Sequence, residues 1–146
     1  MREFRGKNIE NHQFVYGYYA VVVEEGDNGG LGVYYKETQT PIHYISDENG
    51  NSEMVYPNTV GQYSGLKDKN NNKIFEGDKV KAYGEIYIIE FELGSFIFVR
   101  KEIVKHHTNE YRLNWRFVSN NAGDYREWEE CRNNYEVIEN IYKEQL

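Results

Sequence analysis

Asp78-Lys79-Val80-Lys81-Ala82-Tyr83-Gly84-Glu85-Ile86-Tyr87-Ile88-Ile89-Glu90-Phe91-Glu92-Leu93-Gly94-Ser95-Phe96-Ile97-Phe98-Val99-Arg100 decides the fold. β-branched and aromatic side chains suit a pleated, half-buried surface. Three strand-like runs follow from this: Lys79 to Tyr83, Glu85 to Glu92 and Ser95 to Val104. Only Gly84 and Leu93-Gly94 separate them, and glycine supplies the positive φ of tight turns. Runs joined by breaks this short predict a β-meander. The turn Glu76-Gly77-Asp78 precedes them. A Gly-Asp-x-Val start, a Gly-centred turn and a Glu-Phe strand match a small SH3-like barrel, an analogy of fold without functional content.

Upstream, Gln13 to Glu24 is the strongest strand signal, with Phe14, Tyr16, Tyr18 and Ala20 alternating with Val15, Gly17 and Tyr19. Gly26-Asp27-Asn28-Gly29-Gly30 reads as a turn and Leu31 to Tyr35 as the returning strand of a hairpin. Ile42 to Ile45 and Met54 to Tyr56 are further short strands. Between them Asp47-Glu48-Asn49-Gly50-Asn51 is a turn, with Asn49-Gly50 suited to type I′ geometry. Downstream, Glu110 to Val118 and Tyr135 to Tyr142 read as strands. Asp124 can cap a short helix with Glu127 three residues on, and Tyr125, Trp128 and Cys131 share one face of it. No internal repeat, heptad or disordered linker stands out. The expected architecture is mainly β with one short helix. It forms a single domain over 1–146, open to subdivision into a β-hairpin region (1–58) and a barrel region (59–146).

The chain has 146 residues and 17.3 kDa, long enough to bury a core without covalent staples. Seventeen Lys and Arg face 24 Asp and Glu, a net charge of −7 divided almost evenly between the halves. This argues against nonspecific polyanion binding, whose affinity comes from phosphate neutralisation. The lone Cys131 excludes an internal disulfide and a Cys-based zinc site. No run approaches the 18 apolar residues of a membrane span, and the start lacks the apolar centre of a signal peptide. A cytoplasmic protein is expected.

Chemical motifs resolve into turns and strand faces. Asp68, Asn70 and Asn72 have calcium-loop spacing, but Lys73 and Lys79 stand where Gly and Glu are required. Gly26, Gly29, Gly30 and Gly32 do not give a dinucleotide fingerprint. His12, His43, His106 and His107 form no metal motif, and adjacent strand residues point to opposite faces. Cys131 has no neighbouring base. The Glu127, Glu129 and Glu130 carboxylates would do acid–base work only if one were buried with a raised pKa. No cofactor or metal is implied. One stretch opposes the overall charge. Over residues 98–116, Arg100, Lys101, Lys105, Arg112 and Arg116 outnumber Glu102 and Glu110, with Phe98, Tyr111 and Trp115 interleaved. Basic groups beside aromatic platforms are what single-stranded nucleic acid uses. A pair of strands with one wet face is the favoured reading of the stretch, since phosphate affinity would have to overcome a net charge of −7.

The run Thr59 to Asn70, continuing from Lys73 to Val80, resembles the YopX family of phage and prophage proteins. So do the start, Arg2 to Lys7 with Phe14-Val15-Tyr16-Gly17, and the end, Glu136 to Tyr142. Departures from the family pattern are Phe14 for Trp, Ser64 for Thr, Asn72 for Gly and Glu139 for Gly. Glu139 implies that its position needs no positive φ, or that the edge of the last strand differs. The resemblance implies a phage context and transfers no catalytic residues. Gly61, Gly65 and Gly77 read as turn glycines, Tyr63 and Leu66 as anchors, and Asp68 and Asp78 as turn caps. Gln62, Tyr63 and Asp68 form one candidate binding surface; Arg100, Lys101, Arg112, Trp115 and Arg116 form another.

Two function classes follow. The leading expectation is a noncatalytic phage accessory protein that binds protein and self-assembles, since surface aromatics anchor interfaces and sheet edges accept partners. The alternative is a nucleic-acid-binding module using residues 98–116. An enzyme would require a deep pocket with convergent polar groups, His43 or His106 among them.

Overall fold

In a computed structural model, which describes residues 2–23, 40–104, 107–114 and 132–144, the alternating runs become antiparallel strands. The chain divides into two units, Glu3–Val60 and Gly61–Leu146. The expected strand at Leu31 to Tyr35 and the expected helix after Asp124 lie outside the described residues. Among the described residues, no helix is long and apolar enough to cross a membrane.

The first unit holds β1 (Phe4–Lys7), β2 (Phe14–Val22), β3 (Ile42–Ser46) and β4 (Ser52–Met54), in the order β4-β3-β2-β1. An isolated antiparallel bridge, Asn8 to Val55, brings the end of β1 to the chain leaving β4 and curls the sheet. The buried side is made by Ile45 and Val55, with Thr59 fully enclosed. Thr59 earns its burial through two bonds: its hydroxyl accepts the Lys7 N–H (2.9 Å) and donates to the Tyr56 carbonyl (2.7 Å).

The second unit holds the hairpin β5 (Gly61–Lys67) and β6 (Lys73–Phe75). Five further strands make a sheet: β7 (Asp78–Ala82), β8 (Glu85–Glu92), β9 (Ser95–Val104), β10 (His107–Asn114) and β11 (Tyr135–Asn140). Their order is β10-β9-β8-β7-β11. Ile74, Val80, Ala82, Tyr87, Ile89, Phe96, Phe98 and Tyr135 form one core cluster. Phe98 is central to it, edge-on to Tyr87 at 6.1 Å and tilted against Tyr135 at 5.3 Å. Burying a side chain of this size stabilises by roughly 1.5–3 kcal/mol, so this cluster is the main driving force of the unit.

The meander is as the sequence predicts, and three details differ. Among the described residues the barrel does not close. β10 and β11 are opposite ends of the strand order, because alternation specifies which face is buried while closure depends on shear and edge pairing. Tyr83 ends no strand; with Gly84 it forms a two-residue turn in which both residues have positive φ (51° and 82°), matched by Leu93-Gly94 (49° and 77°). This is the hairpin geometry that fits strand twist, here with Tyr and Leu where Asn or Gly is usual. In the first unit only Gly50 of the Asp47–Asn51 loop has positive φ, so Asn49-Gly50 is not a type I′ pair.

Two motif glycines are required by close approach. A Cβ on Gly61 would stand 2.5 Å from the Glu76 carbonyl oxygen. Gly77 is buried with φ 86°, and a Cβ there would stand 2.5 Å from the Tyr142 ring. Its N–H reaches the Ile89 carbonyl (2.8 Å) and its carbonyl receives the Ile141 N–H (2.9 Å), tying the β6–β7 turn to β8 and to the chain after β11. Asp78, 1% exposed, accepts the Phe75 N–H at 2.8 Å, the cap expected of it.

Candidate binding surfaces

The three residues of the first candidate surface have separate surroundings. Gln62 gives its carbonyl to the Glu76 N–H at 3.0 Å. Tyr63 tilts against Phe75, its register partner across the hairpin, at 5.4 Å, with the Lys73 ammonium 5.3 Å over its ring. Asp68 is fully buried. Its Oδ1 accepts the backbone N–H of Asn70 (2.9 Å) and Asn72 (2.8 Å); its Oδ2 accepts the Asn72 amide (3.4 Å) and the Val137 N–H (2.9 Å). Both oxygens are occupied by the fold's own donors. Among the described residues no group of three or more His, Cys, Asp and Glu could hold a metal.

The basic stretch is seen in part. Arg100 pairs with Glu85 at 3.0 Å and is largely covered. Lys101 and Arg112 are strand positions opposite Glu110 and Val99 in register. Trp115 and Arg116 lie outside the described residues, as do Lys105, His106, Cys131 and the 127–130 carboxylates. His43 stacks on Tyr19 (5.8 Å) with its Nδ1 2.5 Å from the Tyr19 hydroxyl. Burial raises the Tyr19 phenol above its usual range. One described carboxyl is shifted upward: burial, and then the charge of Glu90, hold Glu76 above the usual range against a lowering backbone bond from Gln62. Glu139 takes no positive φ; it follows a β-bulge after Val137 and pairs with Lys79 at 2.8 Å. The departure from glycine is thus an ion-paired edge position.

Two surfaces were not singled out in the sequence. Register places Tyr16, Tyr18, Ala20 and Val22 of β2 on one face with Ile42 and Tyr44 of β3 and with Met54 of β4. Tyr16, Tyr18, Val22 and Met54 are 38–49% exposed. This face carries no Asp or Glu from those three strands. Its signal was the even-numbered half of the β2 alternation, but alternation alone does not say which half meets water. In the second unit a cleft of about 190 Å³ is lined by Lys69, Lys81, Tyr83, Asn133, Asn134 and Glu136. A 3-10 turn, Arg132–Asn134, leads into β11 and sets the two Asn residues beside the Tyr83-Gly84 turn. The signal here was a tyrosine directly before a turn glycine.

No curated protein matches the chain. A family model described as YopX protein matches residues 3–145, nearly the whole length. That span takes in the Thr59–Val80 run, in which Gly77 lies in a turn and Asp68 and Asp78 cap turns as expected while Gly61 and Gly65 lie in β5 instead, and the chain belongs to the YopX family.

Proposed function

We propose that this chain is a noncatalytic accessory protein of phage or prophage that works by binding protein, a second copy of itself included. The uncharged, aromatic face of β2, β3 and β4 carries this reading. Tyrosines on a rigid sheet give large contact area with little loss of rotamer freedom, which is what interface anchors do. Two copies each bearing −7 repel at most orientations, and a face without carboxylates lets them meet without opposed like charges. Asp68, Asp78 and Gly77 are consumed by turns and Gly61 by its close approach to Glu76, consistent with a binding scaffold.

Light scattering coupled to size exclusion, over a range of protein concentrations, tests this. The wild type is expected to show a concentration-dependent dimer. Tyr18→Glu and Val22→Glu place charge on exposed positions and are expected to return it to monomer with unchanged melting. A wild type that stays monomeric at every concentration and retains no protein from host lysate would overturn the reading.

A further inference from the structure

We propose that the cleft beside the Tyr83-Gly84 turn binds an acidic segment of a protein partner, with Lys81 holding a carboxylate, Asn133 and Asn134 the segment's backbone and Tyr83 its side chain. The proposal rests on the protein-binding reading only in that the ligand is a protein; its surface lies in the other unit.

Charge is the first support. The cleft brings two ammonium groups against one carboxylate on a chain whose net charge is −7. Glu136 lies opposite Lys81 in register but is 2.6 Å from the Lys69 ammonium. Among the described residues Lys81 has no ion pair. One uncommitted cation suits one carboxylate. A polyanion would carry its remaining charges over an acidic surface, against the source of its affinity.

The amides are the second. Asn133 and Asn134 are exposed at the cleft, and their side chains make no hydrogen bond among the described residues. A primary amide offers a donor pair and an acceptor together, matching the N–H and C=O of an extended peptide. Tyr83 is the third. It is 65% exposed, has φ 51° and touches Tyr135 edge-on at 5.8 Å. A bulky residue in the left-handed region is strained where Asn or Gly would relax the turn. Strain kept in place, beside unspent polar groups, points to a use for the ring.

The test is an amide chemical-shift titration of the full 15N-labelled chain with three probes: Ac-Gly-Glu-Tyr-Glu-Gly-NH2, its Lys-for-Glu counterpart and inorganic phosphate. The acidic peptide is expected to move Lys81, Tyr83, Gly84, Asn133 and Asn134. Lys81→Glu should weaken it by about fivefold, the upper end for one exposed ion pair. Tyr83→Asn should lose it while melting higher than the wild type, an outcome a purely structural Tyr83 would not give. Equal shifts from the basic peptide, shifts from phosphate alone, or none at millimolar acidic peptide would overturn the proposal. Tyr18→Glu should leave the cleft titration unchanged. A wild type that stays monomeric and retains no lysate protein, yet gives the cleft titration, therefore strikes the earlier reading alone, and a self-associating wild type without the titration strikes this one.

Discussion

The loops Asp47–Asn51 and Asp68–Asn72 are built the same way and do different work. Each reads Asp-x-Asn-x-Asn. In each, the first Asp N–H reaches the last Asn carbonyl at 2.9 Å, and the fourth residue returns its N–H to the Asp carbonyl (3.1 Å from Gly50, 3.0 Å from Asn71). The fourth residue has positive φ, 83° for Gly50 and 67° for Asn71. In each, one carboxylate oxygen accepts the third and fifth backbone N–H and the other meets the last amide. The first loop stops there, at the surface. In the second only Asp68 is buried, and the loop goes on: Asp68 accepts the Val137 N–H, and Lys69 donates to the Tyr135 carbonyl at 3.0 Å. Its first two residues thus occupy hydrogen-bonding groups of β11 beyond those paired with β7. A sheet edge left bare invites pairing with other chains, and here a turn covers it. The same Asp-x-Asn-x-Asn pattern ends a hairpin in both units, and in the second it also caps an edge.

The largest break in this parallel is expected from Asp68→Ala. It strands three backbone N–H groups, one of them in β11, at a buried site where each unsatisfied donor is expensive; urea unfolding should show a loss of roughly 3 kcal/mol or more. Next come Gly50→Ala and Asn71→Ala. Both force alanine into the left-handed region, and the loss should be about 1 kcal/mol in each loop regardless of burial. Unequal losses would show that Asn71 does more than bend the chain. Asp47→Ala should give a smaller loss than Asp68→Ala in the same unfolding measurement. It also has a pH signature. The Asn51 side-chain amide, then the Asn51 backbone N–H, hold the Asp47 carboxyl below its usual range. A depressed carboxyl stabilises above its unfolded value of about 3.9, and the effect fades as pH falls through the folded value. The gap between wild type and Asp47→Asn should therefore close in acid.

Much of this was legible before the structure. The strands of the meander follow from Ile86 to Ile89 and Phe96 to Val99, and their breaks from Gly84 and Gly94. Asp68 and Asp78 were readable as turn caps because their reach is local. The burial of Asp68 was not, since the group that encloses it, Val137, is 69 residues away. Asp47 and Asp68 look alike in sequence for the same reason. Tyr83 was misassigned because its side chain favours strands, and tertiary demand for a two-residue turn overrode that preference. Barrel closure failed as an expectation because no local pattern encodes it. Of the two surfaces argued above, the β2 face was half visible as an alternation, whereas the cleft joins Lys69, Lys81 and Asn133 from three separate stretches of chain.

The pairing of β11 with β7 sets an order of events during synthesis. Lys79 meets Glu139, 60 residues later, while β8 and β9 follow β7 within a few residues. A ribosome adding 5–20 residues per second leaves roughly 3–12 s in which β7 can fold against β8 with its other side open. Through that interval a half-finished sheet shows neighbouring nascent chains the same edge that β11 will later occupy. Polysomes crowded with this message are therefore where a strand from the wrong chain has its opportunity, and slowing translation after β10 should lengthen it.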